Sequence, residues 1–244
     1  MRTRLFGFVS VYGLLIACAI ALAVVLCQRE CRRRGLPQDT GIDLALWAVP
    51  FGVIGARIYY VLFRWDVYAL NPISVLYIWQ GGLAIYGGVI GGAIGIALLA
   101  RRRRIPYRTL LDVTAPVLIL AQAIGRWGNF FNGEAYGLEV TNTFWQFFPV
   151  AVYADGAWHL ATFFYESMWD LTGFFVLWRY RLRKNAPGKV FYLYLLFYGA
   201  GRALVEGLRT DSLMLGAFRV SQLLSVLLCV TGALLLLRKP REAT

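Results

Sequence analysis

The chain has 244 residues, is 59% apolar, and carries 25 lysines and arginines against 13 aspartates and glutamates, for a formal net charge of +12; its mean hydropathy is +0.59. No ordinary soluble core needs that much apolar sequence, and several stretches approach the ~20 residues a helix needs to cross a bilayer. The basic residues sit in short runs between those stretches and form no basic aromatic face. That excludes nucleic acid as partner and leaves helix orientation and anionic membrane lipid as their uses.

The predicted fold is an all-α polytopic membrane protein, a single transmembrane domain over 1–244, with spans at 6–27, 42–63, 83–100, 110–125, 163–180, 190–207 and 218–237. At the start, Met1-Arg2-Thr3-Arg4 and a later Leu15-Ile16-Ala17-Cys18 have the look of a lipoprotein signal peptide. The apolar run does not stop at Cys18, however. It continues through Leu26 and meets Arg29, Arg32, Arg33 and Arg34, which reads as a full span with a basic stop. Of the four cysteines, Cys18 and Cys27 lie in this stretch and Cys229 in the last one, as small apolar core residues. With His159 as the sole histidine, a Cys/His zinc site is not expected. A disulfide framework is not expected either.

Arg57 lies inside the second span, where an arginine near an outer end snorkels to the interface. The third span opens on WQGGLAIYGGVIGG, residues 79–92. Gly87 to Gly91 and Gly88 to Gly92 have the spacing of close helix packing. Gly81-Gly82 reads as irregular backbone, tolerated at depth only where it is buried in protein or lines a cavity. Tyr12 and Tyr86 are polar tips in apolar stretches and suit an interfacial belt as well as a site.

The uncharged stretch Val113–Ile124 then runs into GRWGNFFNGEAYG, residues 125–137, which gathers Arg126, Asn129, Asn132 and Glu134. Such clusters are costly in a membrane, so function is the default hypothesis, although asparagines also bridge helices. The longest connection, 138–162, holds two short apolar runs around Asp155-Gly156, a hairpin signal, and is too short to build a core of its own. Glu166, in Tyr165-Glu166-Ser167, reads as a helix-start carboxylate with little role beyond matching the helix dipole. In the sixth span Tyr198, Arg202 and Glu206 recur every four residues, followed by Arg209, giving one polar stripe on an apolar helix. The stripe is either a structural ion pair or an anion pocket, since arginine forks suit phosphate.

The basic residues alternate at every crossing. Arg29 to Arg34 follow span one, Arg101 to Arg104 and Arg108 span three, Arg179 to Lys189 span five, and Arg238, Lys239 and Arg241 span seven. The other connections carry few. By the positive-inside rule the N-terminus is outside and the C-terminus cytoplasmic. GRWGNFFNGEAYG and the 138–162 loop, a small cap, then fall outside. A phosphate at that face is most simply a phospholipid head group.

These residues resemble the prolipoprotein diacylglyceryl transferase family. GRWGNFFNGEAYG matches its signature G-R-x-G-N-F-x-N-x-E-x-x-G. Val11-Tyr12-Gly13, Gly55-Ala56-Arg57, Trp79–Gly92, Tyr165-Glu166-Ser167 and the run Tyr198-Gly199 through Arg202, Glu206, Arg209 and Asp211 follow in the family's order. The resemblance implies a multi-pass enzyme of the bacterial cytoplasmic membrane. It would move the diacylglyceryl group of phosphatidylglycerol to the lipobox cysteine of preprolipoprotein signal peptides, forming a thioether and releasing glycerol 1-phosphate, without cofactor or metal. It implies Arg126, Arg202, Glu134, Glu206, Tyr86 and Asn129 in the chemistry. Arg126, Arg202, Arg209, Tyr12, Tyr198 and Gly137 would hold the lipid. Some members carry a histidine where this chain has Tyr86. The base is therefore Tyr86 in a hydrogen-bonding role, Glu134, Glu206, or the cationic field itself. A seven-span anion transporter or receptor shares the intramembrane charges, but would put its site near the midplane and show a repeat between halves. A structural scaffold would leave Arg202 and Glu206 unexplained.

Overall fold

Apolar segments of this length form helices in a bilayer because each backbone polar group must find its partner within the segment. The computed structural model describes residues 4–5, 9–134, 136–184, 186–210, 214–215 and 218–238. Arg2, Asp211, Lys239 and Arg241 lie outside the described residues. The chain forms α1 (Val11–Arg33), α2 (Thr40–Phe63), the short α3 (Trp65–Tyr68), α4 (Ile85–Arg103), α5 (Tyr107–Asn132), α6 (Thr162–Tyr180), α7 (Lys189–Glu206) and α8 (Val220–Leu237). Among the described residues three antiparallel hairpins accompany them: β1 (Arg4–Leu5) with β2 (Val9–Ser10), β3 (Ala151–Ala154) with β4 (Ala157–Leu160), and β5 (Met214–Leu215) with β6 (Phe218–Arg219).

Among the described residues, five helices, α1, α2, α4, α5 and α8, are long and apolar enough to cross a membrane. Their outward residues are large and apolar. Val89 on α4 is 65% exposed and Leu227 on α8 61%, a surface that suits lipid and not water. Helices α6 and α7 are of similar length, but Glu166, Asp170 and Arg179 on one and Lys189, Arg202 and Glu206 on the other lower their hydropathy. Two spans differ from the sequence prediction by more than three residues at an end. The first helix is displaced to Val11–Arg33, because buried Glu30 pairs with Arg33 and Arg34 and carries the helix through the basic stop. The fourth predicted span does not end at 125; α5 continues to Asn132 and makes most of the polar motif helical.

The chain divides into two compact units, residues 24–111 and residues 1–23 with 112–244. In the first, α2 and α4 meet along a row of glycines. A Cβ on Gly87 would lie 2.3 Å from the Gly55 carbonyl oxygen, and one on Gly91 2.1 Å from that of Phe51. The other predicted pair, Gly88 and Gly92, is looser, with nearest atoms at 3.7 Å. Arg57 does not snorkel. It is 6% exposed, and its five N–H groups reach the carbonyls of Val75 (2.7 Å), Gly81 (2.8 Å), Gly82 (3.0 Å), Ser74 (2.7 Å) and Tyr77 (3.5 Å). Gly81 and Gly82 adopt positive φ, 89° and 75°, which turns their carbonyls to the guanidinium. The irregular backbone predicted there is thus wound around a buried cation.

In the second unit, Ala115, Ile119, Leu177, Val190 and Tyr194 form a core between α5, α6 and α7. Buried Asp112 caps α7, accepting from the Gly188 N–H (2.8 Å) and the Phe191 N–H (2.9 Å). Gly199 lets α7 approach the backbone of Ser225 and Cys229 on α8. The hairpin of β3 and β4 turns on Asp155 and Gly156, both at positive φ, as a tight hairpin requires. Residues 137–140 add to its edge: the Gly137 N–H donates to the Leu160 carbonyl and the Val140 N–H to that of Trp158. Leu138 then donates to the Leu208 carbonyl (2.9 Å), tying this edge to the turn after α7.

Candidate active site

The site is an ionic cluster centred on Glu166. Its Oε1 lies 3.0 Å from Arg126 Nη2 and 2.7 Å from Arg202 Nη1, and its Oε2 lies 3.7 Å from Arg209 Nη1. Arg202 Nη2 turns to Glu206, 2.6 Å away on the next helical turn. Glu166 and Glu206 are 3% and 1% exposed, so the cluster is withdrawn from solvent. Buried charges survive only when paired and well placed. The helix packing supplies the placement.

Each arm is fixed by aromatic neighbours. Trp127, next to Arg126, donates to Ser167 Oγ (3.0 Å), which donates to the Ala123 carbonyl (2.9 Å), locking α5 to α6 one residue from Glu166. Phe130 stacks on Phe163 with ring centres 4.7 Å apart. On the other side Trp169 donates to the Phe197 carbonyl (2.9 Å) and lies against Gly201, where a Cβ would fall 2.2 Å from the indole. That glycine lets α7 bring Arg202 onto Glu166. Tyr198, one turn before Arg202, stacks on Tyr194.

Arg209 reaches the cluster from the turn after α7, and Gly137 sets that turn. Gly137 bridges Arg209 backbone to backbone. Its carbonyl meets His159 Nδ1 at 3.3 Å, and a Cβ there would lie 2.7 Å from both Leu160 and Thr162 side chains. His159 also stacks on Tyr136, whose phenol is raised above its ordinary pKa by partial burial and then by the Asp155 charge.

Arg126, Arg202, Glu206 and Arg209 thus come together, and Tyr198 stands beside them. Tyr12 packs over Gly128, two residues from Arg126, where a Cβ would meet its ring at 2.5 Å. Asn129 is half-buried, three residues from Arg126 on α5. Glu134 is exposed beyond the helix end and pairs with none of the three arginines among the described residues. Tyr86 belongs to the other unit, on the first turn of α4, its ring 6.2 Å from that of Tyr59.

Sequence reasoning undervalued Glu166. It is the hub of the cluster and does more than match a dipole. It also passed over Asp170, one turn further along α6, 3% exposed. The available signal was the spacing of Glu166 and Asp170, which puts two carboxylates on one face of an otherwise apolar helix.

Fold and cluster together define a multi-pass helical membrane protein with buried guanidinium groups gathered at the ends of two of its helices. The family model described as prolipoprotein diacylglyceryl transferase matches residues 4–238. Proteins named phosphatidylglycerol–prolipoprotein diacylglyceryl transferase are similar along most of their length. The one from Listeria innocua is 46% identical over 232 residues, 92% of this chain and 84% of the relative. That from Streptococcus agalactiae is 44% identical over 235 residues, 95% and 91% of the two chains. The Limosilactobacillus reuteri protein is 44% identical over 234 residues, covering 93% and 85%. The chain belongs to the prolipoprotein diacylglyceryl transferase family.

Proposed function

We propose that this chain transfers the diacylglyceryl group of phosphatidylglycerol to the thiol of a prolipoprotein cysteine. The observation that carries the site assignment is the convergence of Arg126, Arg202 and Arg209 on one buried carboxylate in a chain of this family. The cysteine sulfur attacks the glycerol carbon that bears the phosphate. The sulfur–carbon bond forms, the carbon–oxygen bond breaks, and glycerol 1-phosphate leaves. Charge grows on the departing oxygen, where preorganised cationic donors lower the barrier. Arg126 and Arg202 hold the phosphate, with Arg209 completing the fork. Glu166 and Glu206 keep the guanidinium groups in place. Tyr12, Asn129, Tyr198 and Gly137 shape the lipid site, and Glu134 and Tyr86 enter through the order of the motifs. The transporter or receptor alternative finds no support in the family match.

The enzyme works as one domain with seven spans in the bacterial cytoplasmic membrane. Helices α6 and α7 are spans whose charges neutralise each other, the N-terminus is outside, and the hairpin of β3 and β4 forms an external cap. The protein substrate presents its cysteine in a lipobox. Purified protein incubated with phosphatidylglycerol and a lipobox peptide should add one diacylglyceryl mass to the peptide in a mass spectrum. An unchanged peptide mass, beside an active relative as control, would overturn the assignment.

A further inference from the structure

The transfer moves a proton as well as a lipid, because the thiolate rather than the thiol is the nucleophile. The carboxylates at the site are not equally free to take that proton. Glu166 has three arginines within ion-pair distance, and Glu206 holds Arg202 at 2.6 Å; protonating either would cost pairs already made. Glu134 is exposed. Asp170 differs from all three. It sits on α6 one turn further into the span than Glu166, it is 3% exposed, and its Oδ2 is buried without a hydrogen-bond partner. The charges acting on it are Arg126 from α5, Glu166 on its own helix and Arg202 from α7. The phenols of Tyr194 and Tyr198, on α7, lie within reach of its charge. Arg126 contributes a complementary orphan, its buried Nε–H, which also has no partner.

Charge balance gives Asp170 a purpose. Three guanidinium groups face three carboxyl groups, Glu166, Glu206 and Asp170. A phosphodiester brings one further negative charge into the cluster, and its departure as a monoester brings a second. Resting on the site assignment above, we propose that Asp170 accepts the proton of the substrate thiol and so holds the cluster's charge steady as the phosphate gains its own. The sulfur–hydrogen bond breaks, its electron pair stays on sulfur, and the proton goes to Asp170 Oδ2. The sulfur then bonds to the glycerol carbon while the carbon–oxygen pair leaves with the phosphate. The proton passes from Asp170 to the leaving phosphate or to water, restoring the carboxylate.

The test pairs Asp170→Asn with two substrates. One is a lipobox peptide. The other is the same peptide with selenocysteine in place of the reactive cysteine, whose selenol is already ionised at neutral pH. A positioned base contributes at least about 100-fold, so turnover of the cysteine peptide should fall by that factor in Asp170→Asn. The selenocysteine peptide should restore most of it, while phosphatidylglycerol binding and the melting temperature stay near wild type. Asp170→Glu, which keeps a carboxyl group, should retain measurable turnover with cysteine. Wild-type turnover in Asp170→Asn would overturn the proposal. So would an equal loss with both peptides, which marks a structural role. Arg126→Gln is measured alongside for phosphatidylglycerol binding. If it binds as wild type, the phosphate site is wrong, a result distinct from either outcome at Asp170.

Discussion

One carboxylate, Glu166, holds three arginines that come from α5, from α7 and from the turn beyond it. Removing its charge leaves buried guanidinium groups facing one another. Breaking a buried pair in this way costs roughly 3–5 kcal/mol. Glu166→Gln should therefore lower the melting temperature of the detergent-solubilised protein and abolish transfer together; a variant with wild-type melting would show that Glu166 does not hold the cluster. Arg57 makes the parallel case without a carboxylate. Arg57→Lys keeps the charge but offers at most three donors to five carbonyls, and each buried group left unpaired costs about 1–3 kcal/mol. Limited proteolysis should then cut within residues 69–84, where the wild-type chain resists; equal resistance would remove Arg57 as the organiser of that loop. Arg202 and Glu206 were legible in the sequence because a four-residue spacing is local. Glu166 was not, because its partners lie 40 residues before it and 36 and 43 after it, and no periodicity records that approach. Arg57 was misjudged for the same reason: its acceptors are backbone carbonyls, which every sequence contains.

Among the elements, glycine spacing was readable but ambiguous. Both Gly87 with Gly91 and Gly88 with Gly92 have four-residue spacing, and only the backbone course shows which row meets α2 the more closely. The two rows differ enough to test. Gly91→Ala would put a methyl group 2.1 Å from a backbone oxygen, whereas Gly92→Ala meets nothing closer than 3.7 Å. Overpacking of this kind costs about 1–3 kcal/mol, so Gly91→Ala should melt several degrees lower and Gly92→Ala should match wild type or exceed it. Equal melting temperatures would mean that α2 and α4 do not meet along that row. The end of α5 was legible in part. The uncharged apolar stretch stops at Ile124, yet the helix continues because Trp127, Phe130 and Ser167 give its polar last turns a packed side. Hydropathy measures transfer to lipid and is silent about a helix whose flank is protein.

For the whole molecule, the same blindness explains why α6 and α7 fall outside the five helices apolar enough to cross a membrane. An ionised side chain at the bilayer centre costs about 2.5–3.5 kcal/mol on insertion scales, and each of these helices carries three acidic or basic side chains. Arg126, Glu166, Arg202 and Glu206 neutralise one another once α5, α6 and α7 are packed, so the cost applies to the helices apart and largely lifts when they are together. If α6 and α7 did not span, Arg238 would still follow α8, but Arg102 and Arg181 would no longer be bound to one face by the alternation of basic runs. The seven-span arrangement proposed above would put Asp155, at the hairpin tip, on the membrane face opposite Arg102 and Arg181. Single cysteines at these three positions, in a background with Cys18, Cys27, Cys31 and Cys229 replaced, make the arrangement measurable. An impermeant maleimide should label Asp155→Cys in right-side-out membrane vesicles, and Arg102→Cys and Arg181→Cys only in inverted ones. Labelling of Arg181→Cys from the same side as Asp155→Cys would show that α6 does not cross, and the paired-charge account of the two helices would fall with it.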